Sequence, residues 1–530
     1  MPHMPSPGAW LRRLVVPVLL VGLMLVVPGT AQAQSCSTDI SSVPGAGADF
    51  DGDNVVDLAI GDPDATVAGK ALAGQVHIAY GDGAKVTIDA DDIASNENGA
   101  GERFGFTLDT VDWNGDGCSD LFIGAPFETW ASGQVETGIV VFIPGSPSGL
   151  DTALAENWSQ ASFDGDTGVD ANEPGDRFGW DIAAGLDIAG DPYLVVGVPG
   201  ESTGTTDGVV LEHGGNVFYA RPGNAVDFNQ NSAGYADSFE DGDMFGYSVA
   251  ASESGFVVGV PGESAEKTSP ALDINHVGTV FLIGHNDAST APTPITAWGQ
   301  DSTGITGGYE TGDMYGYSLD MVDYIPAGGT STRMMIAVGA PGESLAGDDA
   351  AGMSMVMWSP GTGIAQYKTI SQDRDKVAAD ATEPGDALGA AVAMVNRTPK
   401  ASTSTDTLLL AVGSPGEDTE NSAGNRAASD VGEVGLYSMV EAESAGGDPI
   451  RELLVMAGAD LAEGAAIGSV LHSTTARLFL TVRTASGPAV YSVPWLNIVN
   501  QTYADVSLVA DPSDFGMDTA DSSSFGRSLA

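Results

Sequence analysis

The chain consists largely of short apolar segments separated by clusters of Gly, Pro, Asp and Asn. Typical segments are residues 138–142, 278–282 and 478–482. Alternating or continuous apolar runs of this length, bounded by turn-forming residues, are typical of β-strands. The sequence has no helical heptads and no long amphipathic stripe with a 3.6-residue period. The pattern therefore predicts an all-β protein.

Two landmarks recur in a fixed order, so an internal repeat is the strongest signal in the sequence. The first landmark is an aromatic-Gly pair preceded by acidic residues. Its copies lie at residues 102–105, 173–179, 240–246 and 310–316, with a weaker copy at 383–389 that has Leu in place of the aromatic residue, a degenerate copy at 463–468 and a last one at 525–526. The second landmark is an apolar strand that ends in Gly-x-Pro. Its copies lie at residues 61–63, 124–126, 197–199, 259–261, 339–341 and 413–415, and the strand at 478–482 takes the seventh position.

A Phe-Gly pair followed by Gly-Ala-Pro, as at residues 104–105 and 124–126, resembles the signature of the FG-GAP repeat. The strong copies are about 70 residues apart, which suits one four-stranded propeller blade. The resemblance covers essentially the whole mature length. It is to the repeat that builds the head propeller of integrin α-subunits, here of a secreted bacterial type, and it implies an antiparallel β-propeller.

The two ends of the chain predict how the ring of blades closes. The sequence stops at residues 525–530, one strand into a repeat, and residues 48–53 begin where that strand would continue. Seven Phe-Gly positions and seven following strands predict a seven-bladed β-propeller of four-stranded blades. One blade is then shared between the N- and C-terminal strands, and closure protects the sheet edges.

The beginning of the chain has the features of an export signal. Two arginines, an apolar run and an Ala-Gln-Ala pattern follow one another within residues 1–33. We predict a signal peptide at 1–33, cleaved after Ala33, and a single secreted propeller at 34–530. A lipoprotein anchored through Cys36 is the alternative, although the residues before it lack a lipobox.

Two repeat units carry an acid-rich loop between their first and second strands. Positions 1, 3, 5 and 9 offer side-chain oxygens and position 7 offers a backbone carbonyl, a set that suits a hard cation such as Ca²⁺. By resemblance to the calcium hairpin of FG-GAP repeats, the predicted ligands are Asp49, Asp51, Asp53, Val55 and Asp57 in the first loop, and Asp112, Asn114, Asp116, Cys118 and Asp120 in the second. We expect two structural calcium ions. The alternative is an Asx-rich turn without metal.

The other five units lack this spacing, and residues 187–191 keep only a remnant of it. An EF-hand is excluded because Ile60 and Ile123 stand at position 12, where that motif needs a bidentate Glu.

The net charge of the chain limits the kinds of molecule that it can bind. The chain has 72 acidic and 19 basic residues, a formal net charge of −53, which repels nucleic acid and attracts cations.

Two cysteines in an exported protein, Cys36 and Cys118, predict one disulfide. Because Cys118 lies in the second acid-rich loop and Cys36 enters the neighbouring blade near the same face, the bridge should join the N-terminal strand to the next blade.

The blade topology predicts two different faces. The 1–2 turns, which carry the acid-rich loops, share one face with the 3–4 turns. The 2–3 turns and the 4–1 connections lie on the other face, together with the longest loops and the repeated acids. Because the acids of the Pro-Gly-Glu and Glu-x-Gly-Asp segments recur in four or five blades, we favour scaffold roles for them. The unrepeated contact candidates are His213, Lys267, His276 and Arg426.

These features predict a non-catalytic recognition or adhesion module for an extracellular or cell-surface ligand. We expect a monomer without membrane insertion and with calcium as its cofactor. The sequence has no His-Glu-x-x-His, and Pro147 replaces the serine of a nucleophile elbow. The alternatives are a hydrolase-associated propeller and a lectin-like polysaccharide-binding propeller. The second alternative would use exposed tryptophans among Trp130, Trp158, Trp298 and Trp358.

Overall fold

A computed structural model describes residues 36, 43 and 45–530, with gaps at 95, 97, 130–134, 164–171, 205–209, 236–237, 266–273, 346–347, 360–362, 373–382, 421–425, 441–450, 453–462, 501–505 and 518–523. The predicted signal peptide lies outside these residues. In the part of the chain that is described, no helix is long and apolar enough to cross a membrane.

The strands form seven four-stranded antiparallel sheets, which are the blades of a β-propeller. Blades 1 to 3 contain β1 (Leu58–Asp62), β2 (Gln75–Ala79), β3 (Lys85–Ile88), β4 (Thr107–Val111), β5 (Asp120–Ala125), β6 (Ile139–Ile143), β7 (Glu156–Trp158), β8 (Ile182–Leu186), β9 (Pro192–Val198), β10 (Thr203–Gly204), β11 (Val210–Leu211), β12 (Asn216–Arg221) and β13 (Asn224–Phe228). Blades 4 and 5 contain β14 (Ser248–Ser252), β15 (Gly255–Val260), β16 (Thr279–Ile283), β17 (Pro294–Trp298), β18 (Ser318–Tyr324), β19 (Arg333–Ala340), β20 (Met353–Trp358) and β21 (Ala365–Ile370).

Blades 6 and 7 contain β22 (Ala391–Asn396), β23 (Leu408–Ser414), β24 (Thr419–Glu420), β25 (Arg426–Ala428), β26 (Glu433–Ser438), β27 (Arg451–Glu452), β28 (Leu471–Ser473), β29 (Arg477–Thr484), β30 (Gly487–Pro494) and β31 (Ser507–Ala510), and the last strand, β32 (Ser528–Leu529), returns to blade 1. The pairs β10–β11 and β24–β25 are small separate hairpins in the 2–3 loops. Within the described residues, the short helices are α1 (Gln160–Phe163), α2 (Trp495–Val499) and three 3₁₀ turns at Ala90–Asp92, Thr152–Leu154 and Pro512–Phe515.

Both ends of the chain build the inner strand of blade 1, as the sequence predicted. Strand β32 pairs antiparallel with β1, and Ala530 exchanges backbone hydrogen bonds with Ala59. Further along β1, Ala48 forms a bridge with Asp57. The C-terminal strand and the N-terminal segment thus occupy consecutive positions against one neighbour, which closes the ring.

The two landmarks of the repeat join neighbouring blades. Phe245 is fully buried, and its N–H donates to the carbonyl of Gly214 in the preceding blade at 2.8 Å. The next carbonyl, that of Gly246, packs against Gly197 of the same preceding blade so closely that a Cβ there would lie 2.0 Å away. Any side chain at this glycine would push the two blades apart. The landmarks therefore recur together because they meet at each junction.

The apolar core continues between the blades. At the junction of blades 3 and 4, Tyr219 stacks on Phe256 with ring centroids 5.2 Å apart, and Val217 and Val258 pack in the same cluster. All four side chains are fully buried. Burial of each such side chain stabilises the fold by about 1.5–3 kcal/mol, so every blade depends on its neighbours.

Candidate metal centres and recognition face

The first acid-rich loop is a turn held by its own carboxylates. Asp49 accepts the backbone N–H groups of Asp53 and Asn54, both at 3.0 Å, and Asp53 accepts that of Val55 at 2.7 Å. The turn brings Asp49, Asp51 and Asp53 together, with one oxygen of each within 4.8 Å of the other two. Three carboxylates in this arrangement could share one cation.

The second acid-rich loop repeats the arrangement position by position. Asp112 accepts the N–H groups of Asp116 and Gly117, both at 3.0 Å. Asn114 Oδ1 accepts the same Asp116 N–H at 2.9 Å, and Asp116 accepts that of Cys118 at 2.9 Å. The oxygens at positions 1, 3 and 5 are therefore held in equivalent turns in both loops.

The last acid of each loop joins the 1–2 hairpin to the 3–4 turn of the same blade. Asp57 accepts the N–H groups of Phe50 at 2.7 Å and Gly81 at 2.8 Å. Asp120 likewise accepts the N–H of Gly145 at 2.8 Å. Gly81 and Gly145 follow the third strands of blades 1 and 2, so both kinds of turn lie on one face, as expected.

Burial makes the ionised form of these acids costly. It raises the pKa of Asp57 and of Asp120 to about 7, against backbone hydrogen bonds that lower it. Burial also raises the pKa of Asp49, and burial together with the charge of Asp53 raises that of Asp51. Crowded, partly buried carboxylates gain stability from a bound proton or cation.

The donor set of both loops fits Ca²⁺, which takes about six to eight oxygen ligands and no nitrogen or sulfur. Carboxylate or amide oxygens stand at positions 1, 3, 5 and 9 of each loop, and position 7 contributes a carbonyl. The convergence of Asp49, Asp51 and Asp53 supports a metal at the first loop. Calcium at either loop stays a prediction.

In blade 3, an arginine fills the hairpin that corresponds to the acid-rich loops. Asp187 accepts the N–H groups of Ala189 and Asp191 at 2.8 and 3.0 Å. The Arg221 guanidinium donates to Asp187 Oδ2 at 2.8 Å and to the Asp191 carbonyl at 2.9 Å. Burial favours a higher pKa for Asp187, but the Asp191 amide and Arg221 bring its pKa below the ordinary value. A side-chain cation thus neutralises the remnant loop.

The predicted disulfide is confirmed. Cys36 and Cys118 are bonded, and their Cα atoms are 5.1 Å apart. The bridge joins the segment before blade 1 to position 7 of the second acid-rich loop. The two loops also touch directly, because Ser119 donates its N–H to the Asp49 carbonyl at 2.8 Å.

The repeated acids of the opposite face are buried at the junctions between blades. Asp243 and Glu263 are 1% and 6% exposed. Asp243 accepts the N–H of Glu240 at 2.7 Å, which stabilises the Glu-x-Gly-Asp turn. Gln230, which follows the outer strand of blade 3, donates to Glu263 of blade 4 at 2.7 Å. These contacts agree with the scaffold role expected for the repeated acids.

Sequence reasoning missed a row of aromatic side chains at one end of the propeller axis. Phe106, Trp180, Tyr247 and Tyr317 each directly follow an aromatic-Gly pair, and all four are half-buried. Ring centroids of successive members are 5.0, 5.5 and 5.2 Å apart. Because each residue precedes an inner strand, this aromatic row lies where the axis meets the face of the 4–1 connections. The available signal was an aromatic residue after Phe-Gly or Tyr-Gly in four successive repeats.

Three inner aspartates also were not predicted. Asp109, Asp181 and Asp320 each accept a backbone N–H from the inner strand of the next blade, at 2.7, 2.8 and 2.5 Å. Burial raises the pKa of all three to about 7. The inner strands, with Asp109 and Asp320, line an axial cavity of about 480 Å³. Because they cross-link blades, these acids have a structural explanation.

The tryptophans that could stack on sugar rings differ in their burial and in their contacts. Trp298 is 2% exposed and belongs to the core. Trp158 stacks on Phe142 with centroids 5.5 Å apart, and Trp358 lies under the guanidinium of Arg333. Trp130 lies outside the described residues.

Two of the predicted contact residues prove to be repeated after all. His213 and His276 are both exposed, both have a φ of +56°, and their carbonyls accept the N–H groups of Met244 and Met314 at 2.9 Å. They occupy the same position in successive blades. Lys267 and the side chain of Arg426 lie outside the described residues.

Comparison with known proteins agrees with this architecture. A family model described as "FG-GAP repeat" matches residues 104–143, the segment that runs from Phe104-Gly105 through β4, β5 and β6. This match assigns an FG-GAP repeat to residues 104–143. Most of the other blades carry the same landmarks at the same structural positions, although the strand at 478–482 lacks the Gly-x-Pro.

Two curated relatives are similar to parts of this chain. Phosphatidylinositol-glycan-specific phospholipase D of Dictyostelium discoideum is 25% identical over 296 residues, which cover 52% of this chain and 29% of that protein. Integrin alpha-PS2 of Drosophila melanogaster is 34% identical over 162 residues, which cover 29% of this chain and 11% of that protein. The aligned parts thus span less than a third of either relative.

Among solved structures, a putative 6-phosphogluconolactonase from Bacteroides uniformis aligns with a TM-score of 0.38 and 10% sequence identity. The alignment covers 82% of this chain and 92% of that one.

Proposed function

We propose that this chain is a secreted, calcium-binding and non-catalytic propeller that recognises an extracellular or cell-surface protein. The observation that carries the proposal is the aromatic row on the face of the 4–1 connections. It places four half-exposed rings side by side on a rigid ring of blades, and loops on a rigid scaffold are the usual place for recognition. Aromatic anchors of this kind dominate the energy of protein interfaces.

Charge and ring chemistry suggest what the aromatic row would bind. The chain has a net charge of −53, which attracts cationic ligands. The faces of aromatic rings also attract cations, and Arg527 already lies over Phe106 at 5.3 Å from the ring centroid. A protein that offers an exposed Arg, Lys or apolar side chain would therefore suit this surface.

The similarity to integrin alpha-PS2 and the FG-GAP match support a recognition role. The Cys36–Cys118 disulfide and the apolar run within residues 1–33 support secretion, because disulfides persist in oxidising compartments. Calcium would act on the fold. The first acid-rich loop lies on the blade that both chain ends share, so an ion there would stabilise ring closure.

Binding of the purified protein to an array of matrix proteins, envelope polysaccharides and glycans tests the proposal, in calcium and in chelator. We expect calcium-dependent binding to protein spots that Trp180→Ala reduces at least tenfold. Trp358→Ala is the matched control, because Trp358 ends the third strand of blade 5 on the opposite face. Equal losses in both variants, or none in either, would contradict recognition through the aromatic row.

A polysaccharide-binding propeller is the second candidate. The half-buried Trp180 between Phe106 and Tyr247 favours it, since sugar rings also stack on aromatic faces. Binding confined to the glycan and polysaccharide spots, and lost in Trp180→Ala, would establish this function instead.

A further inference from the structure

The axial cavity is lined by seven side chains that occupy the same position in the repeat. Each is the fourth residue after the glycine of an aromatic-Gly landmark or its weaker copies, and all seven line the cavity of about 480 Å³. Four are alanines, at positions 183, 250, 393 and 530, and three are polar, Asp109, Asp320 and His472. The alanines leave room at the axis, and the cavity falls within the range of small-molecule sites, about 300–1,000 Å³.

A tyrosine from the second strand of blade 3 also reaches the cavity. Tyr193 lies opposite Gly185 of the inner strand β8, and both residues line the cavity. A Cβ at Gly185 would stand 2.5 Å from the Tyr193 hydroxyl, so the ring extends across the inner strand where that strand has no side chain. The inner strands β4, β14, β18, β22, β28 and β32 contain no glycine. The crossing is therefore not a requirement of the repeat.

Two polar side chains at the cavity have no hydrogen-bond partner within the part of the chain that the structure describes. Tyr193 is 2% exposed, and its hydroxyl forms no hydrogen bond to a described residue. The ring nitrogens of His472, which is half-buried, form none either. A buried tyrosine hydroxyl usually has a partner, because an unpaired polar group away from water is costly. A ligand in the cavity would supply the missing partners.

The polar groups of the cavity offer hydrogen-bond donors and acceptors with little fixed charge. Burial lowers the pKa of His472 to about 4 and raises the pKa of Asp109 and of Asp320 to about 7. Asp109 is held in place because its two oxygens accept the N–H groups of Thr110 and Ala184, both at 2.7 Å. Each carboxylate oxygen can accept a second hydrogen bond, so the group can still contact a ligand.

We propose that the axial cavity binds a small neutral polyol of about the size of a monosaccharide. Hydroxyl groups both donate and accept, as the free groups of Tyr193 and His472 require, and the C–H groups between them suit an apolar wall. That wall includes Leu108, Val249, Met321 and Val392.

The position of the cavity separates this site from the aromatic row. Glu253 and Lys400 of the 1–2 turns line one end of the cavity, and they pair with each other at 3.3 Å. The cavity therefore extends to the face opposite to the aromatic row, and the proposal does not depend on recognition of a protein there.

Isothermal titration calorimetry of the whole protein at neutral pH tests the inference, with glucose, galactose, mannose, myo-inositol and glycerol as neutral probes and ethanolamine as the cationic probe. We expect at least one polyol to bind with one site per chain, and Tyr193→Phe to weaken that binding about tenfold through loss of one hydrogen bond. The matched control is Tyr235→Phe, because the Tyr235 hydroxyl donates to the Pro292 carbonyl and does not line the cavity. The control should bind like the wild type.

Three results would overturn the inference: no binding of any polyol, tighter binding of ethanolamine than of every polyol, or equal affinity of Tyr193→Phe and the wild type. Thermal melts separate lost binding from unfolding, since Tyr193→Phe loses no hydrogen bond to a described residue and should be as stable as the wild type. Gly185→Ala is a second variant, because its Cβ displaces the hydroxyl, and it should weaken binding in the same way.

Crystals of the wild-type protein grown with the tightest-binding polyol give a test that needs no variant. Density within hydrogen-bond distance of the Tyr193 hydroxyl supports the inference, and density only elsewhere overturns it. Loss of polyol binding in Trp180→Ala, with Tyr193→Phe unchanged, would place the polyol on the aromatic row instead. Failure of the axial site and failure of the proposed recognition role are thus distinguishable.

Discussion

The 1–2 hairpins of blades 1 and 3 both contain acidic side chains that are at least partly buried, but among the described residues only the blade 3 hairpin has a basic side chain beside them. In blade 1, Asp49, Asp51 and Asp53 converge within 4.8 Å, and burial raises the pKa of Asp49 and Asp51. In blade 3, Asp187 is held by the guanidinium of Arg221, and its pKa is lowered. We propose that the first hairpin binds an external cation, whereas the second has a cation in its own chain.

The blade 3 hairpin has the turn geometry of the acid-rich loops, although it lacks their spacing of acids. Asp187 still accepts two backbone N–H groups of its turn, as Asp49 does in blade 1. The cationic side chain beside it is that of Arg221, at the end of the third strand, where the 3–4 turn meets the hairpin. The stability that the blade 3 hairpin contributes should therefore not depend on calcium, whereas that of the acid-rich loops of blades 1 and 2 should.

Replacement of Arg221 by Met should have the largest effect on this comparison. The side chains of Arg221 and Asp187 are 9% and 16% exposed, and loss of one partner of a buried ion pair costs about 3–5 kcal/mol. Denaturant unfolding should show this loss equally with calcium and with chelator. The matched control is Arg177→Met, because the Arg177–Glu136 pair is largely exposed and should cost about 1 kcal/mol or less. If calcium restored the unfolding free energy of Arg221→Met, the proposed difference between the hairpins of blades 1 and 3 would be wrong.

Removal of the disulfide should have the next largest effect, because it fastens the second acid-rich loop and has no counterpart in the blade 3 hairpin. Cys36 and Cys118 are 82 residues apart, and a bridge that closes so long a loop typically contributes about 2–4 kcal/mol. The double variant Cys36→Ser/Cys118→Ser should unfold at correspondingly lower denaturant concentration. Added calcium should recover part of the loss. Unchanged stability would show that the bridge does not fasten the loop.

Asp51→Asn should remove the calcium dependence of blade 1. At calcium about 100-fold above the dissociation constant, one site stabilises the fold by about 2.7 kcal/mol, and the variant should lose this contribution. In chelator it should be at least as stable as the wild type, because one repulsive charge has gone. The control is Asp191→Asn in the blade 3 hairpin, whose effect should not depend on calcium. Thermal melts with and without chelator measure both, and identical wild-type melts would exclude a structural ion.

The two hairpins should also differ in the sign of their pH dependence, by at most about 1.4 kcal/mol per pH unit for each group. The pKa of Asp57 is raised to about 7, so its contribution to stability is present below pH 4 and is lost as pH rises through 7. The pKa of Asp187 is lowered, so its contribution is present above pH 4 and is lost as pH falls further.

Unfolding free energies in chelator across pH 3–8 separate these contributions. Asp57→Asn should flatten the dependence of the unfolding free energy on pH between pH 4 and 7. Asp187→Asn should lower the unfolding free energy by a constant amount above about pH 4, and this difference from the wild type should shrink as pH falls further. The same change in both variants would show that burial, and not Arg221, distinguishes the hairpins.

Much of this architecture could be predicted from the sequence, because each landmark is a local requirement of the repeat. The Phe-Gly and Gly-x-Pro pairs are the residues that fit a close contact between blades, so their number predicted the number of blades. The split repeat at residues 525–530 and 48–53 predicted ring closure for the same reason. The Asp spacing of the acid-rich loops also predicted which oxygens face one another, because these residues lie within a single nine-residue turn.

The tertiary structure alone decided the contacts between residues that are distant in the chain. Arg221 meets Asp187 across 34 positions, and Gln160 meets Glu201 across 41 positions of the next repeat. The aromatic row forms because four inner strands begin around one axis, although its members are about 70 residues apart in sequence. Local pattern specifies a blade, but the ring geometry determines which side chains of different blades meet. The Arg221–Asp187 ion pair and the aromatic row therefore form only when the chain folds into the ring.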